Sequence, residues 1–157
     1  MFNHSFGKGK RLMNECDPHN LRRFLTAQAE DYKCALRELQ QGQKESHWIW
    51  YIFPQVAGLG HSPTAQEYAI RSRGEALGYL NHAVLGTRLQ QCCEALLKHR
   101  GRQIQDIMGF PDDLKLRSSM TLFALISAQD SVFHKVLSAF YSGQMDERTI
   151  AFFNARA

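Results

Sequence analysis

The spacing of the apolar residues is the feature that most constrains the fold of this chain. From residue 17 to residue 153 they recur at intervals of three and four, which places them along one face of an α-helix. Proline and glycine divide the pattern into about eight segments, some of them very short, with connections of a few residues. No Asn-Gly hairpin signal occurs, and no unit of fixed length repeats. The sequence therefore predicts an all-α fold, a single compact domain of about eight helices.

The first helix has recognisable start and end signals. Asp17 is a candidate N-cap and Pro18 a candidate first helical residue, and Gly42 is expected to end the helix. Ser62-Pro63 repeats the same start signal further along the chain. Gln28 lies within the apolar stripe of the first helix, where a side-chain amide must either find a hydrogen-bonding partner or face a cleft. Gln28 is therefore a candidate site residue.

The domain organisation follows from where the helical pattern begins. Residues 1–14 contain two glycines and three basic residues without helical periodicity, and they predict a flexible basic N-terminal tail. Residues 15–157 carry all the apolar stripes and are expected to form the single helical domain. Within it, two short helices are expected to be divided near Gly74, and Asp146 is a candidate cap for the last helix.

The charge balance is mildly basic. Nineteen Lys and Arg against fifteen Asp and Glu give a formal net charge of +4 and a pI of about 9.0. Part of the excess is Lys8, Lys10 and Arg11 in the tail, and no run of five or more basic residues occurs. Because nucleic-acid-binding domains usually carry a basic stripe or face, the composition predicts only a weak preference for anionic partners. It argues against nucleic acid as the main partner.

The cysteine and histidine patterns give no metal site. The four cysteines contain no C-x-x-C pair, and the seven histidines lack H-x-x-x-H or H-E-x-x-H spacing. Cys92 and Cys93 lie in an apolar helical stretch and are interpreted as small core residues. No apolar run approaches the roughly 20 residues of a membrane span, and no secretory apolar region follows Met1. The sequence therefore predicts a cytoplasmic protein without metal or membrane contact, and it specifies no cofactor.

The densest aromatic segment is the first candidate site. The sequence SHWIWYIF, residues 46–53, is compatible with a short helix or a strand. Its length and its helical surroundings favour a short helix that stops before Pro54, and a glycine-spaced loop follows. Aromatic rings can floor a pocket that stacks a planar ligand, and glycines let backbone N–H groups approach an anion. The competing interpretation is that the rings fill the core and the glycines serve tight turns. The candidate residues are His47, Trp48, Trp50, Gln55, Gly58 and Gly60.

A helix rich in hydroxyl groups is the second candidate. In KLRSSMTLF, residues 115–123, two cations and three hydroxyls lie among large apolar residues, although serine and threonine are only moderate helix formers. One reason for such a cluster is an oxyanion or phosphate site. The other is close helix packing, with the two cations paired to Asp112 and Asp113. The candidate residues are Lys115, Arg117, Ser118 and Ser119.

Four stretches of the sequence together resemble one known family. They are DPHNLRRFLTAQ, SHWIWYIFPQVAGLGHSPTAQEYAI, LNHAVLGTRL and FPDDLKLRSSMTLF, and through them the chain is similar to the domain-of-unknown-function 1810 family, sometimes labelled calpastatin-like. The resemblance implies irregular, horseshoe-like helical packing and a bacterial-type housekeeping protein without an established activity. Ala83 departs from the family pattern, in which proline usually follows the histidine. The calpastatin-like label gains no support, because such inhibitors are low in aromatic residues and this chain is 11% aromatic.

The two candidate segments and Gln28 give the leading functional hypothesis, a single cleft that binds a small anionic, planar ligand such as a nucleotide derivative. Buried polar groups cost about 1–3 kcal/mol each when unpaired, so bringing them together is favourable. No G-x-S-x-G elbow or Walker pattern occurs, and neither a catalytic residue nor a reaction is specified. The alternatives are a protein- or peptide-interaction module with a concave helical face and a weak nucleic-acid binder.

Overall fold

The computed structural model describes residues 17–155, and over this range the predicted all-α fold is confirmed. The expected tail at residues 1–14 lies outside the described residues. The range contains no β-strand, and one isolated parallel bridge joins Val56 to Ile70. None of the described helices is long and apolar enough to cross a membrane. The helices between residues 17 and 155 are α1 (Arg22–Gln41), α2 (Ile49–Ile52), α3 (Pro63–Glu67), α4 (Arg73–Asn81), α5 (Leu85–Leu97), α6 (Ile104–Met108), α7 (Asp112–Leu125), α8 (Val132–Tyr141) and α9 (Glu147–Ala155).

The centre of the fold is α7, which other helices surround. It packs against α8, α9, α6, α2 and α4, and every residue from Ser118 to Ala124 is buried. A helix that is buried on all sides needs no polar face, which explains why α7 lacks a single apolar stripe. Beside it, α5 packs against α1, α4 and α8. The largest buried side chains include Phe24, Trp48, Phe53, Tyr79, Phe123 and Phe133.

Several helix ends predicted from the sequence are confirmed. Gly42 ends α1 in the left-handed conformation with φ of 76°, which favours glycine. The Ser62 side chain caps α3, and Pro63 occupies the first position of that helix. Asp146 accepts a hydrogen bond of 2.9 Å from the backbone N–H of Thr149 and so caps α9. Local capping chemistry therefore sets these boundaries.

Two predicted helix boundaries are wrong. The first helix begins at Arg22, not directly after Asp17, because residues 17–20 form a turn closed by a 3.2 Å bond from the N–H of Asn20 to the carbonyl of Asp17. The Asp17 carboxylate still serves the helix start, since it accepts from the N–H of Leu21 at 2.7 Å. The two short helices expected to be divided near Gly74 are present as α3 and α4, but the division lies at residues 68–72 and Gly74 is inside α4, because the cap of that helix is Ser72. In both cases the helix begins at a different residue from the one that the capping or breaking signal in the sequence indicated.

A buried ion pair joins α1 to the chain segment around α4. The guanidinium of Arg23 lies 2.5 Å from the carboxylate of Glu75, and both side chains are largely buried. Arg23 has five N–H donors, and each makes a hydrogen bond. The four bonds besides the one to Glu75 go to the carbonyl oxygens of His19, Asn20, Glu67 and Ala69. This arginine is fully used in holding the fold together.

A second buried carboxylate, Glu38 of α1, holds the segment that leads into α2. One of its oxygens accepts from the backbone N–H groups of Glu45 and Ser46 at 2.8 and 2.9 Å and from Trp48 Nε1 at 2.9 Å. The other accepts from the Ser46 hydroxyl at 2.6 Å and from the Cys34 thiol at 3.0 Å. Burial by itself would raise the pKa of Glu38, but the hydrogen bonds from Ser46, Cys34 and Glu45 outweigh it and lower the pKa to about 2.

This network makes stability depend on pH in a defined direction. Because the folded-state pKa of Glu38 lies below its ordinary value of 4.5, its stabilisation is complete above about pH 4.5 and is lost as the pH falls towards 2. We expect Glu38→Gln to lower the free energy of unfolding by about 2–3 kcal/mol at pH 7 and by clearly less at pH 3. Urea unfolding at both pH values measures this.

The matched control for that experiment is Glu45→Gln, because the Glu45 side chain is exposed and only its backbone N–H contacts Glu38. It should unfold like the unsubstituted protein at both pH values. If Glu38→Gln destabilised the protein equally at pH 7 and pH 3, the charged hydrogen-bond network would not be the source of the effect.

Candidate functional site

Gln28, the first of the sequence-predicted site residues, is buried and fully partnered. Its amide nitrogen donates to the carbonyl of Tyr51 at 2.7 Å and to the hydroxyl of Tyr79 at 3.0 Å. Its amide oxygen accepts from the Arg88 guanidinium at 3.3 Å. Gln28 thus contacts the aromatic segment, as the sequence suggested. In doing so it uses its hydrogen-bonding groups within the protein.

The two tryptophans of the aromatic segment have different surroundings. The predicted short helix is present as α2, directly after Trp48. Trp48 is 1% exposed and its indole N–H is bonded to Glu38, so it fills the core. Trp50 is half-buried, and His47 is exposed at the surface. Of the two interpretations that the sequence allowed, core packing describes Trp48, while Trp50 lies closer to solvent.

Two lysines cover the tryptophan rings and share one carboxylate. Lys44 Nζ lies 2.7 Å from Asp112 Oδ2 and 4.7 Å from the ring centroid of Trp48, and it also donates to the carbonyl of Ser46. Lys115 Nζ lies 3.7 Å from Asp112 Oδ1 and 4.9 Å from the ring centroid of Trp50. This arrangement connects the aromatic segment to the start of α7 through cation–π and ion-pair contacts.

Lys115 and Arg117 lie on opposite sides of α7. Two residues correspond to about 200° of rotation around an α-helix. Lys115 therefore contacts Trp50 near α2, whereas Arg117 lines a cavity beside the segment that leads into α9. The hypothesis of one cleft placed both cations together, and the helical geometry separates them. The packing alternative is that both cations pair with Asp112 and Asp113. Lys115 does pair with Asp112, whereas Arg117 makes no ion pair within residues 17–155.

The hydroxyl groups of α7 mostly bond to their own helix. Ser118 Oγ donates to the carbonyl of Leu114 at 3.2 Å, and Thr121 Oγ1 donates to the carbonyl of Arg117 at 2.8 Å. Such back-bonding to the residue four positions earlier satisfies a buried hydroxyl without any ligand. Ser119 differs, because it is completely buried and its Oγ has no partner. Most of these hydroxyls therefore fit close helix packing.

The buried side-chain polar atoms without a partner cluster in α7. Within residues 17–155 they are Asp113 Oδ1, Arg117 Nε and Ser119 Oγ. Tyr141 of α8 lies next to the first two, since its hydroxyl donates to the carbonyl of Asp113 at 2.6 Å. Burial, followed by the charge of Asp113, raises the pKa of Tyr141, and the charge of Arg117 acts in the opposite direction. Buried polar groups are ordinarily bonded, so this cluster is unusual and marks α7 as the place to look for a ligand.

Arg117 borders a cavity of about 630 Å³ between α7 and the start of α9. Arg148 lines the same cavity and donates a 3.2 Å hydrogen bond to the carbonyl of Gly58. The sequence alone did not indicate Arg148, because a single arginine in a short helix gives no signal of its own. The lining residues are Arg117, Gln144, Met145, Asp146, Glu147, Arg148 and Ile150. This site joins one end of the glycine loop to the helix of the second candidate.

The glycine loop itself encloses a smaller cavity of about 230 Å³ that Gly58 and Gly60 line. Gly58 has φ of 94°, a conformation that favours glycine, and a Cβ at Gly60 would lie 2.6 Å from that of Ala65. Turn geometry and close packing are therefore sufficient reasons for both glycines. The backbone carbonyl of Gln55 accepts a 2.8 Å hydrogen bond from the backbone N–H of Ile70. This cavity and the one at Arg117 are separate, and Gln28 lines neither.

The two lysines allow a direct test of which contacts hold the fold. The Lys44 side chain is 4% exposed and closely paired, so Lys44→Met should cost about 2–3 kcal/mol of unfolding free energy. The Lys115 side chain is 29% exposed and weakly paired, so Lys115→Met should change the free energy by about 0.5 kcal/mol or less. Urea unfolding of the two variants measures the difference. Equal and severe losses would make Lys115 a structural partner.

The comparisons with known proteins agree with this fold. The chain resembles the crystal structure of the conserved hypothetical protein Rv1873 from Mycobacterium tuberculosis, with 46% sequence identity and a TM-score of 0.86. The likeness covers 88% of this chain and 99% of that one. Among curated proteins, none matches this sequence. The family described as "Protein of unknown function (DUF1810)" matches residues 18–153, which is most of the chain. As the sequence resemblance indicated, this chain belongs to the DUF1810 family.

Proposed function

We propose that this protein binds a small anionic ligand in the cavity between α7 and the start of α9, with Arg117 as the main anchor. The observation that carries the proposal is the state of the Arg117 side chain. Its Nε is buried without a partner, and its guanidinium donates no hydrogen bond within residues 17–155. It borders a cavity whose volume of about 630 Å³ lies in the range of small-molecule sites.

Arg23 provides the contrast that distinguishes Arg117 from a structural arginine. Arg23 uses all five N–H donors on protein acceptors, as is expected of an arginine that holds a fold together. Arg117 sits in the central helix, yet the part of the chain that the structure describes offers it no such acceptors. A planar guanidinium with free donors at a cavity suits bidentate contact with a carboxylate or phosphate. A ligand would supply the partners that the protein does not.

The charges around the cavity are consistent with an anion. Asp146 also lines it, but the carboxylate of Asp146 is occupied by the N–H and hydroxyl of Thr149. Arg148 adds a second cation, held in place by its bond to the carbonyl of Gly58. Glu147 is exposed and also lines the cavity, so it brings a negative charge that a ligand would have to avoid. The two arginines therefore provide the positive charge with which an anionic ligand could interact.

The tryptophans contribute little to this proposal. Lys115 already covers one face of the Trp50 ring at 4.9 Å, so a planar ligand could stack on that face only by displacing the lysine. Trp48 is in the core and presents no face to solvent. We therefore place the anionic group of the ligand at Arg117 and assign no stacking role to the tryptophans.

The interaction-module alternative has one observation in its favour. Phe110 is 70% exposed and Leu114 is 44% exposed, and the two lie at the start of α7. Exposed apolar residues that lie close together can mark a protein-binding surface. Phe110→Ser would remove most of that apolar area without touching Arg117. A small-molecule function should survive this substitution, whereas a peptide-binding function should not.

The cellular setting that we propose is the reducing cytoplasm. Among the described residues, the thiols of Cys34, Cys92 and Cys93 are free. Burial raises the pKa of Cys92 to about 12, and it also raises the pKa of Cys93, so both thiols stay protonated and unreactive. Such thiols behave as small apolar residues in the core, as their apolar neighbours along the sequence indicated.

Native mass spectrometry of protein freshly isolated from cells tests the proposed function. We expect a retained small molecule on the unsubstituted protein and at least a tenfold lower occupancy on Arg117→Gln, because the substitution removes the guanidinium fork and its charge. Arg37→Gln, an exposed arginine of α1, is the matched control and should retain the molecule. Equal occupancy in all three proteins, or no retained molecule in any of them, would contradict the proposal.

A further inference from the structure

A second cavity, of about 670 Å³, lies between the end of α5 and the start of α8, and Arg117 does not line it. Among the described residues, no carboxylate lines it. The lining residues come from the end of α5 and the turn after it, from the loop before α8, and from the first two turns of α8. Those that matter here are Leu97, Arg100, Gln129, His134, Lys135 and Ser138. The cavity therefore combines three side chains that can carry positive charge, two neutral polar groups and an apolar wall.

The cations of this cavity keep most of their donors free of contacts with residues 17–155. Arg100 uses only its Nε, which donates to the carbonyl of Leu97 at 3.1 Å, so its two terminal nitrogens remain available. Neither Arg100 nor Lys135 makes an ion pair within residues 17–155. Basic side chains on both sides of a concave surface, with no acid between them, create a positive potential inside it.

Lys135 is exposed, and its place in the first turn of α8 is slightly unfavourable for a cation. The N-terminus of a helix carries partial positive charge, so cations are disfavoured in the first turn and anions are favoured there. Lys135 lies in the first turn of α8, after the N-cap Ser131, and His134 precedes it. Arg100 follows the end of α5, where a cation is favourable for the helix. The charge on α8 is therefore placed against the helix dipole.

His134 is oriented by the N-cap of its own helix. Ser131 Oγ accepts from the backbone N–H of His134 at 3.3 Å and lies 2.8 Å from the ring Nδ1. Nδ1 is thereby occupied, which leaves Nε2 as the ring nitrogen available to a ligand. When the Ser131 hydroxyl donates to Nδ1, Nε2 carries the hydrogen and is a donor. The ring is thus held in one orientation before any ligand binds.

We infer that this cavity binds the phosphate group of a small phosphorylated compound. A phosphate dianion needs several donors and more than one positive charge, and Arg100, Lys135 and His134 supply both. The N-terminus of α8 adds a favourable dipole. The volume exceeds that of a phosphate alone and falls in the range of small-molecule sites, so the remainder of the compound would pack against Leu97. This site shares no residue with the cavity at Arg117.

Titration of the full-length protein in phosphate-free buffer, followed by amide chemical shifts in NMR spectra, tests the inference. The probes are phenyl phosphate, inorganic phosphate and benzenesulfonate, which has the shape of phenyl phosphate but one negative charge fewer. We expect saturable shifts at residues 100–101 and 131–135 with phenyl phosphate, and at least tenfold weaker binding of benzenesulfonate. Binding of inorganic phosphate as tight as that of phenyl phosphate would identify free phosphate as the ligand and would leave the phosphate site itself supported.

The variants separate binding in this cavity from nonspecific charge attraction and from binding at Arg117. Arg100→Gln combined with Lys135→Gln should weaken phenyl phosphate at least tenfold, whereas Lys33→Gln combined with Arg37→Gln, two exposed cations of α1, should not. Arg117→Gln should also leave it unchanged, and a loss there alone would overturn this inference while supporting the proposed function. Equal losses in all variants would indicate nonspecific charge attraction and would also overturn it.

Two further outcomes bear on the same inference. Tight binding of a single-stranded oligonucleotide without phenyl phosphate binding would replace the small-molecule site by a nucleic-acid surface. The absence of saturable shifts with every probe would likewise overturn the phosphate site, and it would leave the proposal for Arg117 to be decided by its own experiment.

Discussion

The fold depends on a single constraint, that α7 has no side facing solvent along its second half. Residues 118–124 are all buried, so each polar group there must bond within the helix, reach the helix edge or go without a partner. Ser118 and Thr121 take the first course by bonding to carbonyls one turn earlier. Lys115, just before this stretch, reaches Trp50 and Asp112 at the helix edge. Arg117 and Ser119 keep buried atoms without a partner among residues 17–155, and these atoms distinguish α7 from the rest of the core.

The buried charges elsewhere show what the protein does when a charge serves the fold alone. Glu38 accepts five hydrogen bonds and Arg23 donates five, so the cost of burying them is offset by partners. Glu38 fixes Trp48 and the residues before α2, and Arg23 ties α1 to α4 and to the segment before α4. Against this standard, the free guanidinium of Arg117 is an exception within the described residues. Asp113, one turn earlier in α7, also keeps a buried oxygen without a partner among residues 17–155. Because Glu38 and Arg23 are fully partnered, a missing partner explains the unpartnered atoms of α7 better than poor packing does.

The sequence was sufficient for those features that depend on neighbours along the chain. Apolar spacing predicted the helices, Gly42 and Ser62-Pro63 predicted helix ends, and the core interpretation of Cys92 and Cys93 agrees with their burial. It was insufficient wherever partners are distant in sequence. Nothing in the local pattern pairs Glu38 with Trp48, ten residues later, and spacing alone already separates Lys115 from Arg117 by about 200° around the helix. The sequence thus indicated segments that do contact one another in the fold, such as Gln28 and the aromatic segment. It could not show whether these segments line one cleft, because that depends on distances between residues far apart in sequence.

The basic cavity had no sequence signature for the same physical reason. Arg100 and Lys135 are ordinary surface cations when taken singly, and the net charge of +4 indicates no basic face. Only the packing of α5 against α8 places them on two sides of one concavity. The helix dipole acts differently on the two cations. Arg100 lies beyond the C-terminal end of α5, where positive charge is favoured, and Lys135 lies at the N-terminal end of α8, where it is not. A cation placed at a helix N-terminus, beside a histidine oriented by the helix cap, costs some stability in the free protein. Occupation of the cavity by a dianion would reverse that cost, so a bound phosphate group should stabilise α8 as well as fill the space beside it.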